Sequence, residues 1–156
     1  MKMRKFSLLV LLFGLFAASS GYAEDAKLWL ESCRGNFSPR ESVSCTIYLN
    51  TSEPMYAYQL EVVSDNPSSV AIEGVEPGAD GFMAAYRIDK KRGILKVNGF
   101  VTETGVAGIG LRFLTLKLRA LATGVSTIRI VPEVFVNVNG KNIGVSAEGK
   151  NEIKVN

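Results

Sequence analysis

The sequence predicts an all-β protein, an antiparallel β-sandwich of jelly-roll or immunoglobulin-like type with about nine strands. Apolar and polar residues alternate in short runs, which is the pattern of half-buried strands. Turn dipeptides separate these runs, among them Asn66-Pro67, Pro77-Gly78 and Asn139-Gly140. Beyond residue 23 no window favours an amphipathic helix. Many short strands with turns between them are typical of sandwiches and barrels.

The first 23 residues have the pattern of a secretory signal peptide. Lys2, Arg4 and Lys5 precede an apolar stretch from Phe6 to Ala18, and Gly21-Tyr22-Ala23 is a small-x-small cleavage pattern. The alternative is a membrane anchor, but the apolar core is shorter than the roughly 20 residues that a spanning helix needs. We therefore expect residues 24–156 to be exported as one domain. Its expected location is secreted, periplasmic or at the cell surface through a partner, with no membrane span after cleavage.

The first half of this domain contains four predicted strands. Residues 28–31 form the first and residues 42–49 the second, where Val43, Cys45, Ile47 and Leu49 alternate with polar positions. Residues 50–54 are predicted to turn the chain. In the third strand Tyr56, Tyr58, Leu60 and Val62 share one parity and are expected to face the core. Residues 70–75 form the fourth.

The second half begins with a predicted hairpin. Residues 82–88 and 94–101 flank a charged tip at 89–93, whose basic triplet is interpreted as a solvated turn. Gly105, Gly108 and Gly110 are interpreted as a connection, because their spacing does not match a phosphate-binding loop and no helix follows. The remaining predicted strands span residues 111–121, 125–131, 134–138 and 143–155.

Composition excludes several classes of function. Three of the 18 basic residues lie in the signal segment, so the remaining chain balances its 15 acidic residues. A near-neutral domain has no electrostatic reason to bind nucleic acid. Histidine is absent, which removes His-dependent nucleophilic triads and imidazole zinc sites. No motif supports glycoside hydrolysis, so we predict a protein that is not an enzyme and has no cofactor or metal.

Two cysteines, Cys33 and Cys45, are the only ones in the chain. An even pair in an exported protein more plausibly forms a disulfide than a metal or redox site. The bond would join the first strand to the second and stabilise the fold by roughly 3 kcal/mol in the chain-entropy model. The alternative is two separate buried thiols.

The order of features resembles the cohesin domain family, a secreted nine-stranded jelly-roll module that binds dockerin in cellulosome scaffolds. The segments that carry the resemblance are Ser42 to Leu49, Ser64-Asp65-Asn66-Pro67, Val70 to Gly78, Gly93 to Phe100, Gly108 to Ala120 and Gly124-Val125-Ser126. Cohesins usually have Tyr-Asp-Pro where this chain has Ser64 to Pro67, so we expect a reshaped turn there.

The resemblance implies a protein partner, possibly dockerin-like, on a flat sheet face made by the third, fifth, sixth and eighth strands. By alternation, the outward residues of that face are Gln59, Glu61, Arg87, Lys96, Asn98 and Arg129. The family implies that calcium belongs to the partner, and no EF-hand-type calcium loop occurs in this sequence. The alternative is an ordinary solvated sheet face.

A second candidate function is polysaccharide binding, because cohesins are related to cellulose-binding modules. Such sites stack sugars on exposed aromatic rings. The candidate residues are Trp29, Tyr48 and Tyr86. Trp29 has an alternative place in the core of the first strand, and parity favours Tyr48 as the exposed ring.

Overall fold

The computed structural model describes residues 26–101 and 104–156, so the predicted signal peptide lies outside the described residues. These described residues form ten strands. They are β1 (Ala26–Glu31), β2 (Gly35–Phe37), β3 (Ser42–Ser64), β4 (Val70–Pro77), β5 (Ala85–Asp89), β6 (Ile94–Phe100), β7 (Val106–Ala120), β8 (Gly124–Asn137), β9 (Val145–Glu148) and β10 (Asn151–Val155). In the described part of the chain, no helix has the length and apolar character to cross a membrane.

The strands form two sheets that share the long strand β3. Sheet 1 has the order β9–β1–β3–β7–β4 and uses residues 42–51 of β3 for most of its pairing. Sheet 2 has the order β2–β10–β8–β3–β6–β5 and uses residues 55–64. The predicted all-β jelly-roll architecture is confirmed. It is not wholly antiparallel, because β9 pairs with β1 and β2 pairs with β10 in parallel.

The predicted turn at residues 50–54 is wrong, because β3 continues through it. The pairing between β3 and β7 shifts register between Leu49 and Thr51 and again between Thr51 and Met55. Within this irregular stretch the Thr51 hydroxyl donates a hydrogen bond to the Glu53 carbonyl at 2.7 Å. A bulge bends a strand without ending it and tolerates a proline such as Pro54. One strand therefore passes from sheet 1 into sheet 2.

The bounds of three other predicted segments also differ from the structure. Gly108 and Gly110 belong to β7 and are not a connection. The predicted strands on either side of Pro132 form one strand, β8, whose register shifts opposite Gln59 and Leu60. The predicted strand at 143–155 is two strands, since Gly149 at φ 83° redirects the chain from sheet 1 to sheet 2.

The core lies between the two sheets, and Tyr58 is near its centre. Its ring lies 4.7 Å from that of Phe113 on β7 in an edge-to-face contact and 5.3 Å from that of Phe82. The Tyr58 hydroxyl donates to the Phe82 carbonyl at 2.7 Å, which satisfies the phenol inside the core. Burial raises the pKa of Tyr58. Leu60 and Val62 are buried as predicted, whereas Tyr56 is 37% exposed because β3 shifts register between Met55 and Ala57.

The predicted disulfide between Cys33 and Cys45 is present, with the two Cα atoms 5.1 Å apart. Cys33 follows β1, and Cys45 lies on the half of β3 that pairs with β1. Both cysteines are almost fully buried. The bond therefore fastens two neighbouring segments of sheet 1 from within the core.

Buried hydroxyls organise the turn that follows β3. The Ser64 hydroxyl donates to the Val70 carbonyl at 2.7 Å and lies 2.8 Å from the Ser126 hydroxyl. The Ser126 oxygen also accepts from the Asn66 backbone N–H at 3.1 Å. Asp65 accepts from the Ser126 hydroxyl and from the Thr127 N–H. These bonds join the end of β3 to β8.

Candidate functional site

The outer face of sheet 2 brings together the six residues predicted for partner binding. Gln59 pairs with Asn98, and Glu61 pairs with Lys96 across β3 and β6. Lys96 in turn pairs with Arg87 on β5. Arg129 on β8 pairs with Val63 of β3. Directly paired residues point to the same side of a sheet. All six side chains are exposed or half-buried.

An ion-pair cluster occupies the centre of this face. The Lys96 Nζ lies 2.6 Å from a Glu61 carboxylate oxygen and 3.5 Å from one of Glu133. Gln59 donates a side-chain hydrogen bond to Glu133. The hydrogen bond to Glu61 and the negative charges of Glu133 and Glu61 raise the pKa of Lys96. The cluster links β3, β6 and β8, so it orders side chains from three neighbouring strands at once.

Apolar side chains lie on the same face beside the cluster. Ala57 pairs with Phe100 on one side and with Val136 on the other. Val134 pairs with Gln59 in the next row. Phe100 is 59% exposed and Val134 is 48% exposed. We call Ala57, Phe100, Val134 and Val136 the apolar strip. Soluble monomeric proteins usually keep contiguous patches of exposed aliphatic and aromatic side chains small.

Sequence reasoning missed Glu133 and the apolar strip. Phe100 shares the parity of Lys96 and Asn98 on β6, so alternation could have identified it. Glu133 and Val134 follow Pro132, where the register shift makes simple alternation fail. Only the paired structure shows that Glu133 reaches Gln59 and Lys96.

The aromatic candidates for polysaccharide binding divide between two places. Trp29 and Tyr48 pair across β1 and β3, and their rings stack with centroids 5.4 Å apart and planes 14° apart. Leu28 and Leu30 are buried, so the half-buried Trp29 belongs to the outer side of sheet 1 and not to the core. Each ring covers one face of the other. Tyr86 is 47% exposed on β5, in sheet 2, and does not join them.

In the described ranges, 26–101 and 104–156, no group of three or more Cys, Asp or Glu side chains is arranged to hold a metal ion. The disulfide occupies Cys33 and Cys45. What the outer face of sheet 2 offers chemically is a set of fixed charges beside apolar groups. Such an arrangement suits surface complementarity, in which polar groups set register and buried apolar groups supply affinity.

The fold and this face define a two-sheet β-sandwich module with one long strand shared between the sheets. Its fold is cohesin-like, as comparison with solved structures shows. Neither a family model nor a curated protein matches the sequence.

Three of the similar structures come from different organisms. The chain superposes on the type I cohesin in the Coh-OlpC–Doc435 complex of Clostridium thermocellum with a TM-score of 0.67, at 16% identity, over 86% of this chain and 97% of that one. A non-cellulosomal cohesin of Archaeoglobus fulgidus gives a TM-score of 0.69 at 11% identity, over 85% and 91%. A type II cohesin–X-dockerin complex of Acetivibrio cellulolyticus gives 0.69 at 14% identity, over 84% and 99%.

Proposed function

We propose that this protein is an exported, non-catalytic binding module that recognises a protein partner through the outer face of sheet 2. The observation that carries the proposal is the apolar strip beside the Lys96–Glu61–Glu133 cluster. Protein interfaces combine a desolvated apolar core with a polar rim, and a sheet face suits a protein better than a small molecule, which prefers a concave pocket.

Phe100 is the main anchor in this proposal. Its ring is the most exposed aromatic side chain among the described residues, and it stands at the C-terminal end of β6. A buried aromatic anchor commonly supplies a large share of interface affinity. Gln59, Lys96 and Glu133 hold one another in place, so they would present a preorganised polar rim to the partner.

The finer proposal is that the partner is a dockerin-like module. Several structures with this fold are cohesins solved in complex with dockerins. Calcium would then belong to the partner. Chelation would therefore abolish binding without unfolding this protein.

The test is an affinity capture with a matched control. The immobilised protein is incubated with the secreted and envelope fractions of its source organism, and captured proteins are identified by mass spectrometry. Binding of the captured partner is then measured by calorimetry. The double substitution Phe100→Asp/Val134→Asp should weaken it by about 30-fold or more, as for loss of a hot spot. Leu121→Asp is the control, because Leu121 is 44% exposed in the turn between β7 and β8.

Unchanged affinity in the double variant, with its thermal unfolding intact, would exclude the outer face of sheet 2 as the binding surface. Capture that survives chelation would rule out only the dockerin-like partner.

A further inference from the structure

The hairpin end of sheet 2 presents two arginine side chains, Arg87 and Arg92, that form no ion pair within the part of the chain that the structure describes. Arg87 on β5 and Arg92 in the β5–β6 turn line one hollow of about 350 Å³, together with Glu61, Asp89, Ile94 and Lys96. A second hollow of about 310 Å³ adjoins it and shares Arg87 and Lys96 with the first. Arg87 therefore lies between two depressions of the same sheet region.

The basic side chains at this end of the face differ in whether they form ion pairs. Lys96 is committed to Glu61 and Glu133. Asp89 accepts a hydrogen bond from the Arg92 backbone N–H, which shapes the turn and leaves the guanidinium unused. Within the described ranges, no acidic side chain lies within ion-pair distance of the Arg87 or Arg92 guanidinium. Both side chains are exposed.

We propose that Arg87 and Arg92 form a carboxylate-binding subsite for an acidic segment of the protein partner, next to the surface that buries the partner's apolar residues. The proposal rests on the proposed function and specifies the partner's chemistry. A guanidinium is a planar fork that binds carboxylates through two parallel hydrogen bonds, and Arg is preferred over Lys where such recognition matters.

A protein segment fits this surface better than a polyphosphate or a sulfated polysaccharide. Glu61, Asp89 and Glu133 lie among the basic groups and would repel the many charges of a long polyanion, whereas a short acidic segment can place its carboxylates on the two free guanidiniums alone. On β6 the apolar strip begins at Phe100, two rows of paired residues beyond Lys96. Its apolar side chains would form no favourable contacts with a fully charged polymer. A segment with acidic residues followed by apolar ones would match both parts of the face.

The test uses N-acetylated tetraglutamate amide as the probe, with tetralysine amide and inorganic tripolyphosphate as comparisons. Binding is followed by NMR shifts of backbone amides in the purified, disulfide-intact protein. Tetraglutamate should shift the amides of residues 87, 92 and 96, and the binding should weaken with added salt. Arg87→Gln/Arg92→Gln should raise its dissociation constant by about fivefold, as expected for losing exposed charge pairs. Arg34→Gln is the control, since Arg34 is an exposed arginine outside sheet 2.

Three outcomes would overturn the subsite: an unchanged dissociation constant in the double variant, shifts confined to other regions, or tripolyphosphate binding more tightly than tetraglutamate. The captured partner separates this inference from the proposed function. If Phe100→Asp/Val134→Asp abolishes capture while Arg87→Gln/Arg92→Gln leaves partner affinity unchanged, the face binds a partner and the acidic segment is excluded. If tetraglutamate binds as expected and Phe100→Asp/Val134→Asp leaves partner affinity unchanged, the carboxylate site stands and the proposed surface fails.

Discussion

Reducing the Cys33–Cys45 disulfide should lower the free energy of unfolding by about 3 kcal/mol. The cysteines are 12 positions apart, and the chain-entropy relation for a closed loop of this length gives close to that value at 25 °C. For a domain of this size the same loss should lower the melting temperature by roughly 10 °C. Because both sulfurs are buried, a reductant should act only after local opening or in denaturant.

The assay is urea unfolding of oxidised and fully reduced protein, followed by circular dichroism. A cross-link constrains the unfolded chain, so reduction should also increase the slope of free energy against urea, as the unfolded state expands. The double substitution Cys33→Ala/Cys45→Ala should reproduce both changes. Val43→Ala is a matched control, because it truncates a buried side chain on the same strand and should lower stability without changing the slope.

Equal unfolding free energies for the oxidised and reduced protein, within about 0.5 kcal/mol, would refute this reasoning. A loss of stability with an unchanged slope would instead assign the effect to packing around the sulfurs.

Two further predictions concern polar groups in the core. Ser126→Ala should cost about 2 kcal/mol in urea unfolding, because it leaves the Asn66 N–H without its acceptor. Ser68→Ala, at an exposed serine in the turn that contains Asn66, should cost little, and equal effects of the two substitutions would contradict this reasoning. Tyr58→Phe should cost about 1 kcal/mol by removing the hydrogen bond to Phe82. Folding raises the pKa of Tyr58, so wild-type stability should fall as the pH rises above about 10, where the unfolded state loses the phenol proton first. Tyr58→Phe should remove that part of the alkaline loss, and matching pH profiles for the two proteins between pH 9 and 11 would refute it.

Alternation predicted much of the site because it is a local property of an extended chain. Leu60 and Val62 point inward and Gln59 points outward, as period 2 requires. The same rule placed Lys96 and Asn98 on the outer side of β6. None of these assignments depends on knowing which strands are neighbours.

The alternation pattern did not predict that β3 and β8 each continue through a proline. A proline at position 54 and polar residues around it predict a turn, yet β3 runs through them by shifting its register. The same happens at Pro132 in β8. Pairing with strands that are distant in the sequence stabilises a bulged strand, so the local sequence pattern does not reveal the bulge.

The sequence by itself determined the all-β class, the buried and exposed sides of most strands and the cysteine pair. Only the tertiary structure decided that Glu133 joins Gln59 and Lys96, that Phe100 and Val134 extend the same face, and that Trp29 stacks on Tyr48. The physical reason is range: the side to which a residue points follows from its nearest neighbours in the chain. Strand order and register follow from packing between segments that lie far apart in the sequence.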